Sequence, residues 1–192
     1  MDNLVTRKRI RLPHYDYSRD GSYFVTICSK KRQNIFREIQ HIIPVGAGLA
    51  PARTGLAPAR TALSIIGQIA DHHWKNIPNA YVNVKLDEWV IMPNHFHGII
   101  IINGRDGVDG IRDGASPSPT LGQIIGSFKS KCAVDYLKYI NENKLNVSGQ
   151  IWQRSFYEHV IRNERSLNAI REYITQNPEN REKDKDNLRF EW

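Results

Sequence analysis

At 192 residues the chain is long enough for one well-cored domain and too short for two full ones. Its two cysteines, Cys28 and Cys132, exclude a disulfide framework or a thiolate zinc cluster, and no apolar stretch approaches the roughly 20 residues that span a bilayer. An excess of 27 Lys and Arg over 20 Asp and Glu gives a formal charge of +7, which suits a polyanionic partner through phosphate contacts, although solubility alone also accounts for it. Residues 1–10 lack the apolar run of a signal peptide, so the expectation is a soluble, cytoplasmic protein with no membrane partner.

The chain opens on a basic arm, Arg7, Lys8, Arg9 and Arg11, followed by His14, Tyr15 and Tyr17, a combination that can track phosphates and stack on bases or simply fold over a sheet edge. Residues 21–28 read as a first strand, with Tyr23, Val25 and Ile27 on one face. Between about 44 and 61 the heptapeptide Gly-Leu-Ala-Pro-Ala-Arg-Thr occurs twice without a difference, starting at Gly48 and at Gly55. A Pro and a Gly in each copy exclude a continuous helix or central strand, so this is an inserted loop without assigned chemistry. Residues 61–77 have a helical apolar spacing at Leu63, Ile66, Ile69, Ala70 and Trp74, with His72 and His73 read as surface residues. Val82, Val84 and Leu86 alternate in a strand that runs on toward Trp89, and Met92-Pro93-Asn94 marks a turn before a strand that His95 opens. Residues 103–119, rich in Gly, Pro and Asp, are a second loop.

Thr120 then caps a helix whose buried stripe is Leu121, Ile124, Ile125, Phe128, Cys132, Tyr136 and Ile140, leaving Lys129, Lys131 and Lys138 for a nucleic-acid backbone or for water. An aromatic strand is expected over 151–161, carrying Arg154 and ending at Arg162. A last helix from Ser166 with Leu167, Ile170 and Ile174 inward must stop before Pro178. The charged tail 179–192 reads as solvated. The order strand, helix, strand, strand, helix, strand, helix is that of an α+β, ferredoxin-like (RRM-like) antiparallel sheet with an additional helix, in a single domain over 1–192.

Within this frame His95 and His97 lie on one face of a strand and Phe96 on the other, and two neutral imidazoles side by side are half of a metal site. Such pairs also occur on strands that bind nothing. Gly98 leaves room beside them. Tyr173 and Asn177, four apart on the last helix, share a face. An asparagine amide oxygen can complete a site begun by two histidines, and a tyrosine one turn away would then be the nucleophile in a phosphodiester cleavage. Spacing alone equally allows ordinary late-helix residues. Tyr157, in the aromatic strand, is a rival nucleophile without an amide partner at four residues. Arg154 and Arg162 suit phosphate clamps or ion pairs with Glu158 or Glu164.

The stretch Trp89-Val-Ile-Met-Pro-Asn-His-Phe-His-Gly98 resembles the histidine-hydrophobic-histidine (HUH) motif of single-tyrosine transposases. The run from Trp152 to Asn163, followed by Tyr173-Ile-Thr-Gln-Asn-Pro178, resembles the C-terminal signature of their REP-associated branch, which is linked to repetitive extragenic palindromes. The resemblance extends, with interruptions, from about Tyr23 to Pro178. It implies the HUH transposase fold and a nuclease and strand transferase acting on single-stranded, hairpin-forming DNA. It also implies Mg²⁺ or Mn²⁺ held by His95, His97 and Asn177, and Tyr173 as the nucleophile that forms a 5′-phosphotyrosine and releases a 3′-hydroxyl. The branch implies a monomer, whereas the wider group includes dimers. The competing expectation is a non-catalytic protein that grips hairpin DNA or RNA on the same fold.

Overall fold

The computed structural model describes residues 15–39, 61–103 and 119–178. The basic arm, the two copies of the heptapeptide up to Arg60, most of the second loop and the charged tail lie outside the described residues. Four strands build the central sheet: β1 (Gly21–Cys28), β4 (Val84–Ile91), β5 (His95–Ile102) and β6 (Tyr157–Ile161). They pair antiparallel in the order β4-β5-β1-β6. Counting only these four in chain order, the sequence across the sheet is 2-3-1-4, the split βαβ arrangement expected from the sequence. A small hairpin, β2 (Arg37–Ile39) with β3 (Thr61–Leu63), stands apart from it.

Alternation along the strands divides the core into two layers. Tyr23, Val25 and Ile27 of β1, with Phe96, Ile100 and Ile102 of β5, face α1 (Ile65–Lys75) and α3 (Leu121–Glu142). Phe24, Val90, Met92, Ile99 and Ile161 face the opposite way, where α4 (Glu164–Gln176) packs Leu167, Ile170 and Ile174 against them. The sheet is therefore covered by two helices on one side and by a single helix on the other. Helix α3 begins where its sequence says, since Thr120 accepts from the Gln123 backbone while the Gln123 side chain accepts from the Thr120 amide. Among the described residues no helix is long and apolar enough to cross a membrane.

Four local expectations need correction. The helix expected over 61–77 starts only at Ile65. Residues 61–63 pair with β2, and Ser64, whose hydroxyl accepts from the Gly67 amide, caps the helix behind them. It ends at Lys75 and is followed by a one-turn α2 (Ile77–Ala80). The last helix begins at Glu164 rather than Ser166, because Asn163 takes the cap and accepts from the Ser166 amide. Of the strand expected over 151–161 only Tyr157–Ile161 forms. Upstream, Trp152 bridges Ser29, the Gln153 amide donates to the Cys28 carbonyl, and the Lys129 ammonium takes the carbonyls of Gln153 and Ser155 that a ladder would have used. Nor is His73 a surface residue: it is largely buried and reaches Asp135 across the α1–α3 contact at 2.6 Å.

Gly98 proves necessary for a reason other than the one its neighbours suggest. A Cβ there would lie 2.4 Å from Cζ2 of Trp74, whose indole is fully buried against Phe96 and Phe128. The room that glycine leaves is used on the helix-covered face, away from the histidines.

Candidate active site

His95 and His97 project from β5 toward the face that carries α4, and their rings meet edge to face with centroids 4.5 Å apart. Both are buried, at 7% and 2% exposure. Each ring is fixed through its Nδ1. Asn94, in the turn closed by the Met92 amide donating to the His95 carbonyl, offers Oδ1 to His95 Nδ1 at 2.6 Å. An amide oxygen only accepts, so Nδ1 of His95 is the donor, and the neutral ring then carries its lone pair on Nε2. Thr26, directly opposite His97 on β1, places Oγ1 2.9 Å from His97 Nδ1. With the His97 proton directed at Thr26, its Nε2 also presents a lone pair, and the Tyr173 hydroxyl lies 3.3 Å from it, in position to donate. Phe24 stacks on His97 with centroids 5.3 Å apart and meets Tyr173 edge-on at 6.2 Å, so the phenol stands in an aromatic corner.

Helix α4 delivers Tyr173, and two things dock that helix. One is its apolar stripe. The other is Arg171, two residues before the tyrosine, whose Nε and Nη2 donate to the two carboxylate oxygens of Asp87 on β4 at 2.9 and 2.6 Å. The guanidinium holds the Asp87 carboxyl below its ordinary range. Beyond the last turn, Asn177 is 2% exposed, and neither its amide oxygen nor its amide nitrogen has a hydrogen-bond partner. A buried amide left so costs about 1–3 kcal/mol, and it calls for a function. Among the described residues no three His, Cys, Asp or Glu side chains gather. Two imidazoles joined by an amide oxygen would make a donor set suited to Mg²⁺ or Mn²⁺, although imidazole pairs often hold Zn²⁺ or Ni²⁺ more tightly.

The residues expected to contact DNA scatter. Arg7, Lys8, Arg9 and Arg11 lie outside the described residues. Lys129 is no surface cation: it is tied to two carbonyls, stands 5.9 Å over the Phe156 ring, and burial pulls its pKa down to about 8. Lys131 is exposed, but on the helix that packs against the sheet's other face. Arg154 and Arg162 are exposed and form no ion pair with a carboxylate among the described residues; Glu164, one of the expected partners, bonds Arg171 instead. Tyr157 opens β6 at 41% exposure, with no bond to either histidine.

Sequence reading passed over Thr26, Asn94 and the Asp87–Arg171 pair. Thr26 had a signal: it is a polar residue in the middle of the strand face opposite Tyr23, Val25 and Ile27. Asp87 and Arg171 are 84 positions apart and had none.

The chain is 35% identical over 177 residues to an uncharacterised protein of Haemophilus influenzae (strain Rd), covering 90% of this chain and 88% of the relative. Among solved structures, a REP-associated tyrosine transposase bound to a REP hairpin superposes with a TM-score of 0.50 at 17% identity, over 89% of this chain and 73% of that one. A Deinococcus radiodurans R1 protein provisionally assigned as a transposase gives 0.41 at 14% identity, over 86% of this chain and 95% of its own, too loose to bear on the site. No protein-family model matches.

Proposed function

This chain belongs to the family of the Haemophilus influenzae protein and has the fold of a REP-associated tyrosine transposase, and from that premise we propose that it is a metal-dependent single-stranded DNA endonuclease and strand transferase acting on hairpin-forming repeats. The observation that carries the reading is the Tyr173 hydroxyl 3.3 Å from Nε2 of a histidine whose other nitrogen is already held. The solved transposase holds a REP hairpin, and a hairpin is the substrate class we carry to this chain.

His95, His97 and Asn177 are the residues that would hold Mg²⁺ or Mn²⁺. Such an ion would polarise the phosphodiester and offset charge developing in an in-line displacement. Thr26 and Asn94 fix the two imidazoles with their Nε2 lone pairs outward, the task that partners of ligating histidines perform elsewhere. Tyr173 is the nucleophile: its Oη–phosphorus bond forms as the P–O3′ bond breaks. The phenol gives up its proton and the departing 3′ oxygen gains one, leaving a 5′-phosphotyrosine and a 3′-hydroxyl. His97 Nε2 has a single lone pair, so accepting the Tyr173 hydroxyl and binding an ion are alternative uses of it. Arg171 and Asp87 keep the helix that carries the phenol in register with β4.

The test is incubation of single-stranded hairpin oligonucleotides with the protein and Mn²⁺, looking for a covalent adduct that survives denaturing electrophoresis. Wild-type protein should form it and Tyr173→Phe should not, while Tyr173→Phe should still bind Mn²⁺. No adduct from wild type across several hairpins would overturn the reading, and an adduct persisting in Tyr173→Phe would move the nucleophile elsewhere.

A further inference from the structure

Strand β6 is an edge of the sheet, and its alternation decides what it shows on the face of the candidate site. Residues directly opposite on paired strands point the same way. Tyr157 is opposite Thr26 and His159 is opposite Phe24, so both rings of β6 share the face of His97 and Tyr173, while Glu158 and Val160 turn to the other layer. The row His97, Thr26, Tyr157 spans three adjacent strands, about 10 Å from first to last. The row above it is aromatic: His159 neighbours Phe24, which stacks on His97 and meets Tyr173. Helix α4 packs chiefly over β4, touching β6 at Ile161 and not at its start, and leaves Tyr157 41% exposed, with no side-chain hydrogen bond or ring contact among the described residues. The two ends of the strand are marked by arginines. Arg154 precedes it and Arg162 follows it, both exposed and neither paired with a carboxylate among the described residues.

We propose that Tyr157 and His159, flanked by Arg154 and Arg162, form a stacking track that carries the unpaired nucleotides next to the scissile phosphate. It deepens the nuclease reading, on which it rests. An exposed tyrosine ring and a half-buried histidine ring on one sheet face, with cations at both ends, match the two demands of a single strand: a π-surface for each base and a positive charge for the backbone. Burial and the neighbouring Arg162 push the His159 pKa down, which keeps that ring a neutral, flat surface at neutral pH. The track also gives Tyr157 a use that requires its ring and not its hydroxyl, in place of the nucleophilic role.

The probes are a hairpin oligonucleotide with a single-stranded extension and the same hairpin cut blunt, bound by the full chain and followed by fluorescence anisotropy across a salt series. Tyr157→Ala is expected to weaken binding of the extended hairpin by about 5-fold or more, the loss of one stacked base, with little change for the blunt one. Tyr157→Phe, which keeps the ring, should bind as wild type does. The double variant Arg154→Gln/Arg162→Gln should lower the slope of log K against log salt by about 1.4 on the extended probe. A control with the same charge change on α3, Lys131→Gln/Lys138→Gln, should leave that slope alone. Equal binding of the extended hairpin by wild type and Tyr157→Ala would overturn the track and leave the nuclease reading standing, as would equal slopes for the two double variants. Failure of the wild-type protein to bind any hairpin would overturn both.

Discussion

Replacing Thr26 with valine removes one oxygen atom and keeps the shape of a side chain that is 3% exposed. The hydroxyl is the group that holds His97 Nδ1 at 2.9 Å, so the loss falls on the imidazole. Leaving the buried His97 nitrogen without a partner costs about 1–3 kcal/mol. At about 2–4 °C per kcal/mol for a chain of this size, the melting temperature should fall by roughly 2–12 °C. The functional effect is larger than the structural one. Without an oxygen at Nδ1 the ring is free to place its proton on Nε2, and that tautomer has no lone pair to offer an ion. Losing the partner of a ligating histidine typically costs about 10–100-fold in metal affinity. Mn²⁺ titration by calorimetry, alongside the rate of covalent adduct formation on a hairpin oligonucleotide, measures both. Thr26→Ser keeps the oxygen and should restore most of the affinity. Thr26→Val that is folded and binds Mn²⁺ as tightly as wild type would refute the assignment of His97 as a ligand oriented by Thr26.

Gly98→Ala should lose about 1–3 kcal/mol of stability and melt below wild type, since its methyl would press on Trp74 from 2.4 Å; a scanning calorimetry trace unchanged from wild type would refute the packing argument. Asp87→Asn should leave hairpin affinity intact and slow adduct formation, because it loosens the register of the helix that carries Tyr173 without touching the site. The Asp87 carboxyl titrates below its ordinary 3.8 because of Arg171, so its contribution to stability is fully present above about pH 4 and is lost as pH falls through the depressed value; in Asp87→Asn that acid limb should flatten in urea titrations run across pH 2–5. Lys129 shows the same sign of dependence in an alkaline window. Its pKa is lowered from 10.5 to about 8, so between those values the unfolded chain holds the proton that the folded one has released. Stability should rise with pH across that window, and Lys129→Met should abolish the rise.

Much of this architecture could be read from period alone. The alternation of β1, the 3.6-residue stripe of α3 and the histidine pair on one face of β5 are local patterns, and each element stands where its pattern puts it. What escaped is what depends on partners far away in sequence. Residues 61–63 carry apolar spacing compatible with a helix, and only pairing with Arg37–Ile39 makes them a strand. Lys129 falls on the polar side of α3 by helical count. Its long stem nevertheless carries the ammonium to the carbonyls of Gln153 and Ser155, and that same bond keeps residues 151–156 from extending β6. Gly98 looked like an allowance for the histidines, yet its neighbour in space is an indole 24 positions earlier. The motif positions pointed to His95, His97, Tyr173 and Asn177, of which the structure brings the two imidazoles and the Tyr173 hydroxyl together, whereas Thr26, Asn94 and Arg171, which hold the histidine rings and the tyrosine helix, carry no motif and emerge only from register and distance.

The two-stranded pair β2–β3 has a consequence of an evolutionary kind. Its register, Arg37 opposite Leu63 through Ile39 opposite Thr61, pins the chain one strand spacing apart before the first heptapeptide copy and at the last residue of the second. Behind that clasp, at the Ser64 cap and the Phe36 carbonyl it bonds, the domain receives the same geometry however many residues pass between the two ends. Removing one seven-residue copy changes the closure entropy by only about 0.4 kcal/mol. Slippage of the coding repeat can therefore add or delete whole units almost neutrally, so copy number can drift between close relatives while the histidine strand and the tyrosine helix keep their places.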